Sequence, residues 1–408
     1  MAHRVMSSST QAPASLLHSG PLGVVAASGM AIGVGAAFVN LIGFLEPAIS
    51  ADLGRDRAAL GLVVSSYFGA AGFGSVAAAR LADQLGARAA MVVALGVVAA
   101  CCMFSASVGS YWSLIVGSLG AGLAYAVLTP ATNIAVSRTL VPRRHGIGLT
   151  VKTAGGPIVA ATGALLSGLL VSAVGWRILL AGLATLVVAG ALWAAVVMPP
   201  ARSLGHPGTP GSELPGGFYW FPVAAFLFIA GAQPAFSWVV PYLRQSMHAG
   251  AGEAGMVTSI GISAGVVGMI VMALRSDRRG TGQRIPVLVG SSLACALGEI
   301  LIALGGQGGL GMVAIGTVLA SVGMLTGTGL LHAALVDAAP QAVGRATGVT
   351  LTGFYLGAFV APVAFGYVAD GPGGYGAGWL ACSTALVLSA AAFTKCASVG
   401  HRACPVAG

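Results

Sequence analysis

The feature that most constrains this sequence is a series of long apolar segments that recur along nearly the whole chain. An α-helix needs about 20 predominantly apolar residues to cross the hydrocarbon core of a bilayer. The sequence therefore predicts an all-α membrane protein with twelve transmembrane helices. These spans 1 to 12 cover residues 22–45, 59–79, 89–107, 112–136, 146–172, 177–198, 218–242, 254–274, 285–304, 310–334, 346–369 and 379–398.

The composition excludes most other classes of protein. Of the 408 residues, 57% are apolar and only 7% are charged, and the mean hydropathy is +0.92. A soluble domain carries about 25% charged residues, so a soluble enzyme and a disordered chain are both excluded. The six cysteines show no metal-ligand or disulfide spacing, and the basic runs are too short to predict nucleic-acid binding. No metal site and no cofactor is expected.

Polar stretches divide the chain into five parts. We predict a tail at 1–21, a six-helix bundle at 22–198, a linker at 199–217, a second six-helix bundle at 218–398 and a tail at 399–408. The linker is rich in proline and glycine, which disfavour a continuous helix.

The distribution of basic residues predicts the orientation in the membrane. With the N-terminus inside, fourteen Lys and Arg residues fall on the cytoplasmic side and four on the outer side. Cytoplasmic loops carry the excess of positive charge, so both termini are predicted to be cytoplasmic. Arg outnumbers Lys 17 to 2 and Ala and Gly are abundant, which is typical of GC-rich bacterial genomes. The expected location is the bacterial cytoplasmic membrane.

The two halves of the sequence resemble each other at corresponding positions. Such a repeat predicts two pseudo-symmetric six-helix bundles, a plan in which transporters hold their substrate at the interface between the halves. The alternative is chance agreement between glycine-rich apolar segments, which is harder to accept for Pro and Asp. The matched pairs are Pro47 and Pro241, Asp83 and Asp277, and Gly86 and Gly280 at an offset of 194, and Gly175-Trp176 and Gly378-Trp379 at an offset of 203.

Two loops carry similar sequences: residues 79–88, between spans 2 and 3, read ARLADQLGAR, and residues 273–280, after span 8, read ALRSDRRG. They resemble the motif Gly-x-Leu-x-Asp-Arg-x-Gly-x-Arg of the major facilitator superfamily. The resemblance covers the whole chain and implies a transporter that exposes one site alternately to the two sides. It also implies gating by Asp83, Gly86 and Arg88 in the first loop, and by Asp277, Arg278 and Gly280 in the second. The alternative for these charges is surface ion pairs worth about 0–1 kcal/mol each.

Lys152 is the clearest candidate for binding the cargo. It lies within span 5, and an ionisable group inside the bilayer is costly and indicates function. Its ammonium group would attract an anion such as a carboxylate. The alternative is a lysine whose flexible side chain reaches the cytoplasmic headgroups.

Further polar and aromatic residues fall on spans that line the central cavity in the family that this chain resembles. For each of them the alternative is a hydrogen bond between helices, packing, or an interfacial anchor. A histidine side chain titrates near neutral pH in water, so His332 is the candidate for proton coupling. The candidate binding residues besides Lys152 are Asn40, Tyr67, Asn133, Gln233, Trp238 and Tyr355.

Two branches of the superfamily offer different cargoes. Residues 140–148, 155–157 and 175–177 resemble the monocarboxylate-transporter-like branch, although span 8 lacks that branch's intramembrane arginine. The drug-exporter motif of span 5 is only half matched, at Gly156-Pro157. We therefore predict a secondary transporter of a small organic anion such as a monocarboxylate. The alternative is a proton antiporter that exports a drug or metabolite.

An enzyme or sensor in the membrane is the rival class of function. It is disfavoured because the sequence contains no HExxH, GxSxG or P-loop motif. The expected partners are a small-molecule substrate, the lipid bilayer and protons as a coupling ion, with no nucleic acid. The chain is expected to work as a monomer.

Overall fold

The computed structural model of the chain describes residues 20–55, 57–200 and 213–401. Most of the predicted linker and of the two predicted tails therefore lies outside the described residues. The described part consists of α-helices and two short 3-10 helices, Pro142–Arg144 and Thr281–Gln283, and contains no β-strand. The helices are α1 Pro21–Phe44, α2 Glu46–Leu53, α3 Arg57–Leu85, α4 Ala87–Val108, α5 Tyr111–Thr139, α6 His145–Val197, α7 Trp220–Gln245, α8 Ala251–Arg279, α9 Arg284–Ala303, α10 Gly305–Ala338, α11 Val343–Ala369 and α12 Gly374–His401.

Helix α6 contains both predicted spans 5 and 6. Gly175 interrupts it with a non-helical backbone, φ 77° and ψ 163°, which a glycine adopts without strain. Gly155, before this point, packs against Gly29 of α1, and Gly190, after it, packs against the neighbouring Met30. The chain therefore reverses at Gly175, and the two arms of α6 run antiparallel beside α1.

The predicted all-helical membrane fold is confirmed. Eleven segments of the described residues are long and apolar enough to cross a membrane, and they correspond to predicted spans 1 to 4 and 6 to 12. The first arm of α6, which includes three side chains that the structure does not describe, corresponds to span 5. Large apolar side chains such as Phe73, Leu169 and Val267 are more than 60% exposed on the outside of the bundle, where lipid would cover them.

Helix α2 is an element that the sequence analysis did not predict. It follows α1 directly and places a proline in its first turn, a favourable position for that residue. Asp52 near its end accepts a hydrogen bond from Trp176 Nε1 at 3.0 Å and pairs with Arg177 at 2.9 Å. Since Trp176 and Arg177 follow the reversal at Gly175, α2 is attached to the loop between the two arms of α6.

Several helix ends follow from local sequence. Ser110 and Ser113 form a reciprocal capping box at the start of α5, with both hydrogen bonds 3.1 Å long. Gly54 and Gly109 end α2 and α4 in the left-handed conformation, each at φ 59°. These signals keep the connections short and make consecutive helices antiparallel.

The antiparallel order places the connections at two ends of the molecule. The connections α3–α4, α5–α6, α8–α9 and α10–α11 lie at the end from which the chain leaves α6 and enters α7. We call this the linker end and the other the opposite end. Helices α1–α6 form one bundle and α7–α12 the other, and they meet through the contacts α3–α11, α6–α8, α6–α10 and α5–α11.

The contacts between the bundles begin at the linker end. The contacts between α3 and α11 begin where Asp83 lies against Gly344 and continue as far as Gly69. A methyl group added at Gly69 would come within 3.7 Å of Phe359, so the two helices are still close there. Gly69 lies 16 residues above Leu85, or about 24 Å at 1.5 Å per residue. The bundles are therefore in contact through the half of the molecule that is nearer the linker end.

Candidate functional site

A buried group of polar side chains joins the two bundles. Lys152 Nζ on α6 donates a hydrogen bond to Asn133 Oδ1 on α5 at 2.8 Å. The Asn133 Nδ2 group lies 3.1 Å from His332 Nδ1 on α10 and donates to Thr347 Oγ1 on α11 at 3.1 Å. We call these four residues the polar cluster. It brings together three of the predicted residues and adds Thr347.

The polar cluster is shielded from solvent. Lys152 is 1% exposed, Asn133 and Thr347 are fully buried, and His332 is 6% exposed. The Lys152 side chain therefore points into the protein and does not reach a surface, in contrast to the alternative of a lysine that extends to the headgroups. A buried ammonium group is unfavourable unless hydrogen bonds or an opposite charge compensate it, and here its partner is a neutral amide.

Small residues allow the helices around Lys152 to approach closely. The backbone of Lys152 lies against Gly29 of α1, where an added methyl group would come within 3.5 Å of the Lys152 Cα. On the other side, a methyl group at Gly329 of α10 would come within 3.1 Å of Thr150 Oγ1. The sequence around Lys152 is therefore placed between the two bundles by glycines on both sides.

Three tyrosines lie next to the polar cluster, and we call Tyr67, Tyr125 and Tyr355 together the tyrosine layer. The rings of Tyr67 and Tyr125 are 5.7 Å apart and those of Tyr125 and Tyr355 are 6.0 Å apart. The hydroxyls of Tyr355 and Thr129 are hydrogen-bonded at 3.2 Å across the bundle interface. Thr129 and Asn133 are one turn apart on α5, so the tyrosine layer and the polar cluster are separated by about 6 Å along the helix axis.

Tyr67 serves a contact within the first bundle. Its hydroxyl donates to the backbone carbonyl of Gly35 on α1 at 3.2 Å, and its side chain is fully buried. This fixes one edge of the tyrosine layer to α1.

The structure places three predicted binding residues elsewhere. Asn40 lines a cavity of about 740 Å³ between α1 and the two arms of α6, which is mostly apolar. Gln233 is partly exposed on α7, where its backbone carbonyl accepts from Ser237 at 3.5 Å. Trp238 donates to the carbonyl of Pro362 at 3.2 Å and packs on aromatic rings of the second bundle. These residues do not form part of the polar cluster.

The two aspartates of the duplicated loops occupy equivalent positions at the linker end. Asp277 accepts hydrogen bonds from the backbone N–H groups of Gly146 and Ile147, at 2.9 and 2.8 Å, in the first turn of α6. Asp83 lies against Gly344 in the first turn of α11. Each carboxylate thus faces a helix N-terminus of the other bundle, where the helix dipole and free N–H groups favour negative charge.

The arginine that pairs with Asp277 differs from the expected one. The sequence analysis grouped Arg278 with this carboxylate as a gating residue, but Arg278 is exposed. Arg284, at the start of α9, pairs with Asp277 at 3.3 Å instead. Arg284 is only 1% exposed, so its side chain is the one directed into the protein.

Arg284 is the centre of a buried charge cluster that the sequence analysis missed. It pairs with Asp337 of α10 as well as with Asp277, and donates to the carbonyl of Pro142, ahead of α6, at 2.9 Å. His145 Nδ1 lies 3.5 Å from the same Asp337 carboxylate. The sequence signal for this cluster was the presence of charged residues at the ends of spans 9 and 10. It did not reveal which residues pair, because the pairing depends on how the loops fold back.

The remaining predicted gating residues have distinct positions. Gly86 and Gly280 both have positive φ, 76° and 93°, as the tight turns between α3 and α4 and after α8 require. Arg88 is partly exposed at the start of α4. Across the ranges that the structure describes, no group of three or more His, Cys, Asp and Glu side chains is arranged to hold a metal ion.

Three proteins of related sequence are named as transporters or pumps. A gentisate transporter of Corynebacterium glutamicum is 28% identical over 88% of this chain and 85% of its own length. The 4-hydroxybenzoate transporter PcaK of Pseudomonas putida is 30% identical over 34% of this chain and 31% of its own. An MFS-type efflux pump of Mycolicibacterium smegmatis is 26% identical over half of each chain.

Solved structures share the fold at low sequence identity. The human organic anion transporter MFSD10 (TETRAN) superposes with a TM-score of 0.70 at 14% identity, covering 94% of this chain and all of that one. A variant of the E. coli fucose:proton symporter FucP superposes with a TM-score of 0.69 at 16% identity, covering 95% of this chain and 100% of that one. The sequence profile of the Major Facilitator Superfamily matches residues 26–362. With its two bundles and these matches, the chain belongs to the Major Facilitator Superfamily and is a membrane transporter, not an enzyme.

Proposed function

We propose that this transporter moves small aromatic carboxylates, of the hydroxybenzoate kind, across the bacterial cytoplasmic membrane by alternating access. This substrate class is one of the small organic anions predicted from the sequence. Relatives named for gentisate and 4-hydroxybenzoate support it. The assignment to the monocarboxylate-transporter-like branch stays a prediction.

The observation that carries the proposal is the buried ammonium group of Lys152. Among the residues that the structure describes, its hydrogen-bond partner is the neutral Asn133, and no carboxylate forms an ion pair with it. A substrate carboxylate would neutralise this charge and form a charge-assisted hydrogen bond, which is stronger than one to a neutral amide. The site therefore favours an anion over a neutral or cationic cargo.

The tyrosine layer provides the complement for an aromatic ring. It lies about 6 Å from the polar cluster along α5, which is within the length of a hydroxybenzoate. Aromatic rings pack favourably in offset or edge-to-face arrangements, and the hydroxyls of Tyr355 and Thr129 offer partners for a ring hydroxyl. An aliphatic monocarboxylate would use the ammonium group but not this layer.

The transport cycle follows from the arrangement of the contacts between the bundles. The linker end carries most of the basic residues, and we propose that it faces the cytoplasm with both termini on that side. In this structure the linker end is held together by Asp83, Asp277 and Arg284, so substrate would enter from the opposite end. Residues 22–198 and 218–398 would then rock as two rigid bundles of one monomer.

Export of a drug or metabolite is the second candidate function. It is supported by the similarity of half of the chain to a protein named as an efflux pump. Such a cargo would not depend on the charge of Lys152, since many drugs are neutral or cationic. The direction of transport and the charge dependence therefore separate the two candidates.

The test replaces Lys152 in purified protein reconstituted into vesicles. We expect wild-type protein to take up labelled 4-hydroxybenzoate, Lys152→Arg to retain part of the uptake, and Lys152→Met to lose at least tenfold in kcat/KM. A lost charged hydrogen bond of about 1.5–3 kcal/mol corresponds to a loss of that order. Vesicles of known orientation distinguish uptake from export.

The control compares ligands in the same protein. Binding of benzamide, which has the ring but no charge, should be equally weak in wild type and in Lys152→Met. If Lys152→Met transports 4-hydroxybenzoate as well as wild type does, the ammonium group does not bind the carboxylate. If wild type moves only hydrophobic cations, the exporter function is correct and the aromatic acid proposal is wrong.

A further inference from the structure

The hydrogen bonds of Asn133 determine the protonation state of His332. The Lys152 ammonium group can only donate, so the atom of Asn133 that faces it is the amide oxygen. The Asn133 Nδ2 group, which can only donate, therefore faces His332 Nδ1 at 3.1 Å. His332 Nδ1 must accept this hydrogen bond, and a nitrogen that accepts carries no proton. His332 is therefore held as the neutral tautomer with its proton on Nε2.

The charged groups around His332 are few and already paired. Lys152 approaches from α6, and α5 and α11 present Asn133 and Thr347, which do not titrate. From α9, Arg284 donates to the carbonyl of the next residue, Ala333, at 3.0 Å.

Arg284 also pairs with two carboxylates, Asp277 of α8 and Asp337 of α10, and the second of these lies beside His145 of α6. Helices α7 and α8 pack on neighbouring turns of α10 through Phe228 and Met269, which carry no charge. Of these groups, Asn133 is the one that donates a hydrogen bond to His332 Nδ1 and therefore directly opposes a proton there.

Protonation of His332 would break a contact between the bundles. A proton on Nδ1 would face the N–H groups of Asn133, and two donors repel each other. A lost hydrogen bond that leaves buried donors without partners is unfavourable. Since Asn133 belongs to the first bundle and His332 to the second, this stabilisation is lost from the closed linker end.

We propose that Asn133 is a positioning residue that keeps His332 neutral while the linker end is closed, and that proton uptake at His332 Nδ1 releases the two bundles. The proton comes from water that enters from the opposite end, and it returns to water at the linker end after opening. No other bond is made or broken.

The same amide links the proton to the anion, a step that rests on the proposed function. When a carboxylate binds Lys152, the Asn133 oxygen loses its donor, and the amide is free to turn over. Its N–H groups are then drawn towards the carboxylate and away from His332 Nδ1, which removes the donor that opposes a proton there. Anion binding and proton binding would therefore favour each other, and by linkage the coupling is the same in both directions.

The test measures the separation of the bundles without any substrate. Spin labels are attached at Ala89 on α4 and Gln283 before α9, two exposed positions at the linker end in opposite bundles, in a variant without native cysteines. In wild type, electron–electron distances should shift to longer values as the pH is lowered from about 8.5 to about 5. His332→Gln, which accepts from Asn133 but does not titrate, should stay closed throughout.

Two further variants separate positioning from a merely structural role. Asn133→Asp accepts hydrogen bonds from Lys152 and from a protonated His332 Nδ1, so it should also remain closed at low pH. Thr352→Val, on α11 but outside the polar cluster, removes a hydroxyl that donates to the carbonyl of Gly348 in its own helix at 3.0 Å, and should keep the wild-type response to pH. A pH response in His332→Gln or Asn133→Asp equal to that of wild type, or none in wild type, would overturn the proposal.

The coupling to the anion has its own measurement. Saturating 4-hydroxybenzoate should raise the midpoint pH of opening in wild type by about 1 unit, a tenfold change in proton concentration. An unchanged midpoint in protein that transports the acid contradicts the coupling by Asn133. If the acid neither binds nor is transported, the proposed function fails, while the distances measured without substrate still decide the role of Asn133.

Discussion

Single side chains at the interface carry contacts that can be tested one at a time. Tyr355 is the clearest case, because its hydroxyl bonds Thr129 of the other bundle, whereas the hydroxyl of Tyr67 bonds Gly35 of its own bundle. Both residues were candidates for substrate binding in the sequence. The structure shows that their hydroxyls have different partners, one between the bundles and one within the first bundle.

Replacing Tyr355 by Phe should favour opening of the linker end. The variant loses one hydrogen bond between the bundles, worth about 1 kcal/mol, so the ratio of closed to open protein should fall about fivefold. The spin-label pair at Ala89 and Gln283 measures this ratio. Tyr67→Phe is the matched control, and it should lower thermal stability without changing the ratio. Equal ratios in the two variants would contradict this assignment.

Helix packing depends on glycines whose neighbours differ sharply even within one turn. An added methyl group at Gly155 would collide with the backbone of Gly29, so α1 and the first arm of α6 are in direct backbone contact. At Gly156, the next residue, nothing lies within 4 Å of such a methyl group. Interfaces of membrane helices commonly use small residues for this close approach.

Gly155→Ala should therefore destabilise the first bundle, while Gly156→Ala should be nearly neutral. Overpacking at a tight contact costs about 1–3 kcal/mol, because the helices must move apart. Thermal unfolding in detergent, followed by the amount of monodisperse protein, measures the difference. A midpoint temperature equally lowered in both variants would show that the α1–α6 contact is looser than the structure indicates.

The whole molecule is held closed at one end by pseudo-symmetric contacts. Asp277 caps α6 and Asp83 lies at the start of α11, so the duplicated loop motif acts on the opposite bundle in each case. This arrangement supports the predicted gate more than the alternative of surface ion pairs, because the carboxylates face backbone N–H groups across the interface. The gating role itself stays a prediction.

Asp277→Ala should open the linker end, and Arg278→Gln should not. The first change removes two hydrogen bonds to the start of α6 and the pairing with Arg284, whereas Arg278 is exposed. We expect the ratio of closed to open protein to fall at least tenfold, since charge-assisted hydrogen bonds contribute about 1.5–3 kcal/mol each. Modification of a single cysteine placed at the linker-end interface measures the opening. A closed Asp277→Ala protein would exclude the gate.

Much of the fold could be predicted from the sequence because the bilayer imposes simple rules. Length, hydropathy and short polar breaks located the spans, and the family resemblance, carried by the repeated loop motif, is confirmed. Helix α2 escaped prediction because its eight residues are too short for a periodic pattern. Within the site, Lys152, Asn133 and His332 were identified as polar residues in apolar segments, but nothing in the sequence showed that they touch.

The sequence by itself determined that this chain spans the membrane as two related halves, since hydropathy and the repeat can be read directly from the order of the residues. Only the tertiary structure decided which polar residues meet. Lys152, Asn133, His332 and Thr347 come from four helices of two bundles, and their contacts depend on how those helices cross. Arg284, at the start of α9, is buried against Asp277, whereas Arg278, at the end of α8, is exposed, and this difference depends on how the chain folds back between the two helices.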